Sequence, residues 1–263
     1  METAILGQGS LDYRSYLDET SWVNMGVLQE LFLNNDFMGS SQYFYKDVDP
    51  PGGRSLLYAG PVWDMDQTLG VRTQSYLPEN VILMLRKVWY QDLCIRPEFH
   101  RRMVEVYRER YRSLLDELLE QGIDRMAEEI RPAAKMNYIR WSIVAEMQTG
   151  QRAHFLAEVA HLKDFLRKRV AFLDDYWDGE TVYHTVRVTY DAPGDPSKHV
   201  YWYYMVWDGE CLPQPQHLAA SENIHFVGWY YGTPETLEGP FDPNRPVTED
   251  LTVSARYEFF SVP

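Results

Sequence analysis

Two short acidic stretches carry the side chains best suited to chemistry. The first is Asn34-Asn35-Asp36. The second is Gly60-Pro61-Val62-Trp63-Asp64-Met65-Asp66-Gln67-Thr68-Leu69-Gly70. In an extended backbone successive side chains alternate faces, so the spacing predicts that Asp64 and Asp66 point the same way. Two carboxylates on one face attract a divalent cation, and oxygen donors suit Mg²⁺, Mn²⁺ or Ca²⁺ rather than zinc. A D-x-D pattern is weak by itself: the plainer reading has one Asp capping a turn and the other in solvent. Asp36 alone reads first as the cap of a helix end.

The elements that would position these groups are legible. Asp18-Glu19-Thr20-Ser21 is a helix start, with acidic residues and a hydroxyl before an apolar run. Trp22, Val23, Met25, Leu28, Leu31 and Phe32 recur at helical spacing, which predicts a helix over about 21–33. Asn34-Asn35-Asp36 ends it, because short polar side chains compete for the backbone. Gln42 to Lys46 is strand-like, Asp47 to Arg54 is a Pro/Gly loop, and Ser55 to Ala59 is the return strand. The order is helix, acidic loop, hairpin, acidic loop. Protein kinases present a catalytic base and a metal-binding Asp in that order, on either side of a hairpin. The arrangement predicts Asp36 and the Asp64/Asp66 pair at one mouth of a cleft.

Composition excludes several classes. The chain has 263 residues, 45% hydrophobic and 14% aromatic, enough for a sizeable core. Its formal net charge of -14 argues against nucleic-acid binding through phosphate contacts and against an anionic membrane surface. No apolar run reaches the roughly 18 residues that a membrane span requires. The two cysteines, Cys94 and Cys211, lie far apart and read as unpaired thiols.

At this point the chain resembles the spore coat protein H (CotH) kinase family. The resemblance rests on Gln29-Glu30-Leu31 followed by Asn35-Asp36, on Tyr43-Phe44-Tyr45-Lys46, and on Gly60 to Asp66 with Gly70. It continues through Val88 to Leu93, Arg96-Pro97-Glu98-Phe99, Asn137 to Trp141 and Leu166 to Val170 with Trp177, so it covers about residues 10–178. It implies an atypical kinase fold that transfers phosphate from ATP to spore-coat or surface proteins. On that resemblance Asp36 is the catalytic residue, Asn35 and Ser41 face the cofactor, and Asp64 and Asp66 hold Mg²⁺ or Mn²⁺ against ATP. Spore-coat members carry Asn where Ser41 stands, and a hydroxyl is the weaker ligand. The family's β-rich nucleotide lobe precedes the matched region, and Met1 lies close to Asp36. The expectation is therefore an inactive or weak enzyme for this chain alone. The alternative is a surface or scaffold protein that uses a degenerate lobe for interactions.

The following segment is helical. Pro97 and Glu98 suit a first turn, Gly122 is expected to follow the last one, Asp124 to cap the next helix, and Pro132 to kink or interrupt it. Arg101, Arg102, Arg108, Arg110 and Arg112, interleaved with Glu105 and Glu109, read as a solvated face, or more sharply as a dock for acidic substrates. A helix from about Gln151 to Trp177 carries an apolar stripe from Phe155 through Val159, Leu162, Leu166, Val170 and Leu173, expected to be core. His154 and His161 lie seven apart, whereas His ligands on one helix usually sit three or four apart, so they read as a satisfied or solvated pair.

After Asp178-Gly179-Glu180 the hydrophobic period changes from 3.6 to 2. Four strands are expected near 182–190, 201–207, 224–231 and 251–259. Val188 to Asp191, Phe226 to Tyr230, Pro240 to Asp242 and Pro246 to Val253 resemble the internalin B B-repeat, also called the Listeria–Bacteroides repeat. That resemblance implies a β-grasp-like spacer on a secreted or surface protein of bacteria. The run Tyr201-Trp202-Tyr203-Tyr204 could stack on carbohydrate, although aromatic strands more often pack a small core. The fold class expected is α+β: a kinase-like lobe over 1–180 and a small β domain over 181–263, with a protein partner at the cell surface or spore coat.

Overall fold

The computed structural model describes residues 1–7, 11–70, 78–79, 81–141, 155–179, 182–192, 195–215 and 224–259. Mixed helices and a sheet form two compact units. One comprises Met1–Met84 with Asp92–Trp177, the other Leu85–Gln91 with Asp178–Pro263.

In the first unit, α1 (Glu2–Ile5) precedes the longer α2 (Glu19–Phe32). Asp18 caps α2 by accepting the Ser21 N–H at 2.8 Å. Trp22, Val23, Met25, Gly26, Val27, Gln29, Glu30 and Leu31 are all buried, so α2 is wrapped on most sides rather than along one stripe. It ends at Leu33, which takes a left-handed φ of 47°. A two-stranded hairpin follows, β1 (Phe44–Lys46) with β2 (Leu57–Ala59), antiparallel with Tyr45 opposite Tyr58. It is fastened to α2 by polar bonds as well as packing. Trp22 Nε1 donates to the Leu57 carbonyl at 2.9 Å, the Ala59 N–H donates to Ser21 Oγ at 3.1 Å, and Trp22 stacks on Phe44 at 4.9 Å.

The helical half departs from expectation. After the short α3 (Tyr90–Cys94) comes α4 (Pro97–Val106), a π turn Tyr107–Tyr111, α5 (Arg112–Glu117), a second π turn Leu118–Gly122, and α6 (Ile123–Trp141). Tyr107, Arg112, Leu118 and Ile123 all keep right-handed helical dihedrals, so the rod passes through both π turns without a break. Gly122 does not stop the helix: it lacks the positive φ a terminating glycine adopts. Asp124 caps nothing, and instead its carboxylate accepts from Lys163 Nζ at 2.6 Å. Pro132 lies inside α6 without interrupting it. The arginine stretch is largely tied down, with Arg102 on Glu105, Arg112 on Asp116 and Asp174, and Arg108 on the Trp177 carbonyl.

Helix α7 (Phe155–Asp178) closes the unit. His154 lies outside the described residues. Leu166, Val170 and Leu173 are buried, but Phe155, Val159 and Leu162 line an apolar cavity of about 260 Å³ with Leu69, Met126 and Ile130. The stripe is thus core in its second half only. Arg169, within the buried half, is 0% exposed and meets Glu30 of α2, also 0% exposed. Arg169 Nη2 pairs with Glu30 Oε1, its Nε donates to the Glu30 carbonyl at 3.0 Å, and its Nη1 donates to the Pro78 and Val81 carbonyls. Glu30 also accepts the Leu83 and Met84 amides at 2.7 and 2.8 Å. Burial pushes the Glu30 carboxyl above its ordinary range, against the pull of Arg169 and both amides.

The second unit is a five-stranded sheet in the order β4-β3-β7-β5-β6, built from β3 (Tyr183–Ala192), β4 (Asp195–Trp207), β5 (Ile224–Tyr231), β6 (Gly239–Pro240) and β7 (Leu251–Phe259). β3 and β7 run parallel with Val188 opposite Val253, and the remaining pairs are antiparallel. Val186, Val188 and Tyr190 alternate into a core with Val206, Leu212, Trp229, Val247, Val253 and Ala255. A register shift between Phe226 and Gly228 lets Phe226 and Trp229, three apart, both pack on that core. The aromatic run of β4 is packed: Trp202 and Tyr204 lie against the core, Tyr203 is 9% exposed, and the Arg187 guanidinium covers the Tyr201 ring at 4.0 Å. No helix among the described residues is long and apolar enough to cross a membrane.

Candidate active site

The hairpin returns the chain to the edge from which it left α2. The Leu69 N–H donates to the Phe32 carbonyl at 2.8 Å, and the Asn35 N–H donates to the Gln67 carbonyl at 3.2 Å. The loop after α2 and the loop after β2 therefore run side by side. Side chains join them too: Ser41 Oγ donates to Asp64 Oδ2 at 3.3 Å, and Asn34 Nδ2 donates to Met65 Sδ at 3.4 Å.

Each loop is folded tightly. The Asp36 carbonyl accepts the N–H groups of Gly39, Ser40 and Ser41, which curls residues 36–41 back on themselves. The Asp36 N–H donates to Asn34 Oδ1 at 3.2 Å. Asp36 and Asn35 are half-buried, Ser41 is 4% exposed, and Asp64 and Asp66 are exposed. Trp63 and Tyr43, both about half exposed, meet edge to face at 5.7 Å beside Asp64.

The backbone between the two aspartates corrects the extended reading. Asp64 takes a left-handed conformation, φ 51° and ψ 61°, and Met65–Gln67 is a 3₁₀ turn. Alternation of faces therefore does not apply across Asp64-Met65-Asp66. An aspartate tolerates that left-handed conformation better than most residues, because its short side chain can bond locally.

The donor set suits a hard cation. It consists of carboxylate and hydroxyl oxygens, with no thiol or imidazole. Among the described residues no group of three or more His, Cys, Asp or Glu converges as a metal site. Such a sparse set fits Mg²⁺ or Mn²⁺, which takes one or two carboxylates and fills its remaining positions with water and substrate phosphates. The Ser41 hydroxyl keeps its lone pairs while donating to Asp64, so it can still face a cation. Asp64 and Asp66 would hold the ion, and Asp36 lies on the neighbouring loop.

Two features escaped the sequence reading. Asn34, read only as part of a helix stop, is fully buried and touches both loops. The Glu30–Arg169 pair is built from residues far apart in the chain, and no local pattern marks either as the other's partner.

Comparison with known proteins returns no match among curated proteins or solved structures. The family model described as CotH kinase protein matches residues 8–173, which takes in both acidic loops, the hairpin and most of the helical half. With that match over more than half its length, the chain belongs to the CotH kinase family.

Proposed function

We propose that this protein is an atypical kinase that transfers phosphate from ATP to Ser or Thr hydroxyls of a protein. The observation that carries the reading is the fastening of the Asp64–Asp66 turn against the Asp36 loop, in a chain of the CotH kinase family. That family implies nucleotide and metal use. Asp64 and Asp66 would hold Mg²⁺ or Mn²⁺, with Ser41 orienting Asp64. When bound, the cation neutralises charge on the phosphates of ATP. Asp36 would accept a hydrogen bond from the acceptor hydroxyl and take its proton as that oxygen bonds to the γ-phosphorus and the bond to the β,γ-bridging oxygen breaks, releasing ADP. Asn35 faces the nucleotide. Chemistry of this kind rests on positioning and charge stabilisation more than on covalent participation.

The association of the family with the spore coat supports a protein partner at a bacterial surface. We also read the five-stranded sheet as an internalin B B-repeat-like spacer. What supports this is that Val188 to Asp191, Phe226 to Tyr230 and Leu251 to Val253 all lie on strands of one sheet.

The test is transfer of labelled γ-phosphate to a Ser/Thr-rich acceptor with Mg²⁺ or Mn²⁺. Asp36→Asn and Asp64→Ala are each expected to lower transfer by about a hundredfold or more. A protein that binds Mn²⁺·ATP with no transfer in any condition would be a scaffold rather than an enzyme.

A further inference from the structure

The geometry points to Asn34 as the positioning residue that sets the spacing between the proton-accepting loop and the cation-holding turn. The inference rests on the phosphoryl-transfer reading above. Asn34 is 0% exposed and reaches from its own loop to the second. Its Oδ1 accepts the Asp36 N–H at 3.2 Å, and its Nδ2 donates to Met65 Sδ at 3.4 Å. One planar amide thus touches the backbone of Asp36 and the residue between Asp64 and Asp66.

The other ties between the loops are of a different kind. Asn35 to Gln67 and Leu69 to Phe32 are backbone bonds, which any residue at those positions makes. Ser41 reaches the turn through the Asp64 carboxylate itself, a group that would also hold the ion. Asn34 alone among these side chains fixes the turn without using a cation ligand. The thioether is a weak acceptor, so the bond contributes little attraction but constrains where Met65 can sit. Thr68 Oγ1 donates to the Met65 carbonyl at 2.7 Å, which passes that constraint along the 3₁₀ turn. Burial completes the device, because water cannot easily replace either partner of a fully buried amide.

A positioning residue of this sort sets the distance between Asp36 and the carboxylates that hold the ion. Its removal should act on both loops together and leave the hydrophobic packing of α2 in place. Asn34→Leu keeps the number and branching of the side-chain heavy atoms and removes both polar contacts, although its methyl groups take more room. Asn34→Asp keeps the acceptor for the Asp36 amide but loses the donor to Met65.

Two measurements on the full chain test this. The first is hydrogen exchange over peptides spanning 33–42 and 61–70. Asn34→Leu is expected to speed exchange about tenfold in both segments, with the remainder of α2 unchanged. Asn34→Asp is expected to loosen chiefly 61–70. The second is Mn²⁺ binding in the presence of a non-hydrolysable ATP analogue, followed by loss of the free-ion paramagnetic signal. Asn34→Leu should weaken it about tenfold or more, the range found when residues that orient metal ligands are removed. Faster exchange confined to 33–42 would make Asn34 an ordinary turn residue and overturn the inference. So would Mn²⁺·analogue binding equal to that of the wild type. A wild-type protein that binds no Mn²⁺·analogue, with Asp64→Ala no different, would remove the phosphoryl-transfer reading and this inference with it. If Asn34→Leu lacks native helical dichroism, the Asn34→Asp exchange pattern decides: acceleration chiefly in 61–70 supports the bridge, and none there refutes it.

Discussion

Replacing Arg169 with leucine removes one half of a fully buried ion pair and fills part of the space it leaves. In the wild type, Arg169 donates to three carbonyls and pairs with the Glu30 carboxylate. Without it those carbonyls lose a donor, and Glu30 keeps only the Leu83 and Met84 amides. Breaking a buried pair from one side costs about 3–5 kcal/mol, because the remaining charge stays desolvated. Whole domains are stable by only about 5–15 kcal/mol. For a unit of this size about 2–4 °C of midpoint is lost per kcal/mol, so the expected fall is about 6–20 °C. Among the described residues the long helices lie in the first unit, so thermal loss of helical dichroism reports chiefly on it.

The same variant has a pH signature. Burial already holds the Glu30 carboxyl above its ordinary range, with Arg169 pulling the other way. Removing the guanidinium leaves the upward shift less opposed. Between the unfolded and folded values the folded state holds a proton that the unfolded state lacks. Stability of Arg169→Leu should therefore fall as pH rises through that window, and recover part of its deficit in mild acid. A loss below about 1 kcal/mol, or a deficit independent of pH, would show that the pair is not the buried ionic contact the geometry describes.

Three further outcomes are expected. Gly70→Ala should destabilise the first unit by about 1–3 kcal/mol in urea, since φ at Gly70 is +73° and a Cβ there would stand 2.8 Å from the Phe165 ring. Under native conditions a thiol reagent should modify exposed Cys211 and spare buried Cys94, whose thiol is pushed up by burial and then by Glu30 and Asp92; rapid modification of Cys94 would contradict its burial. Tyr13 and Tyr107, both held above the ordinary phenol value of 10.0 by burial and then by bonds to Glu19 and Asp174, keep protons that the unfolded chain releases. The helical unit should lose stability as pH rises above about 10, and flat midpoints through that range would refute the burial of these phenols.

Much of the fold was legible because it rests on local signals. The Asp18 cap, the period-2 strands and the hairpin loop all belong to a few consecutive residues. Errors arose where tertiary packing overruled a local signal. Gly122 has the composition of a helix stop, yet the helix continues through a π turn in which Leu118 lies against it; a Cβ there would meet Leu118 Cδ1 at 3.1 Å. Arg169 was hidden by its neighbours. It stands three residues after Leu166 and four before Leu173, on the buried side of α7, and that spacing alone marks a charge that requires a partner inside. The identity of the partner was not recoverable, because nothing in the local sequence links residue 169 to residue 30.

The candidate site divides along the same line. Its residue types and their order around the hairpin were visible, because an acidic loop on either side of a two-stranded ribbon is a property of the sequence. The local conformation was not. Alternation is the simplest way to aim two carboxylates together, and it requires an extended Asp64-Met65-Asp66. The chain instead places Asp64 in the left-handed region and coils Met65–Gln67 into a 3₁₀ turn. A 3₁₀ turn eclipses residues three apart rather than two, so the turn by itself gives Asp64 and Asp66 no common direction. Their relation to Asp36 is set from outside, by backbone bonds at Asn35 and Leu69 and by the side chains of Asn34 and Ser41. Asn34 and Ser41, which act through their side chains, are the residues whose substitution should separate cation binding from folding, and both precede the turn by more than twenty residues.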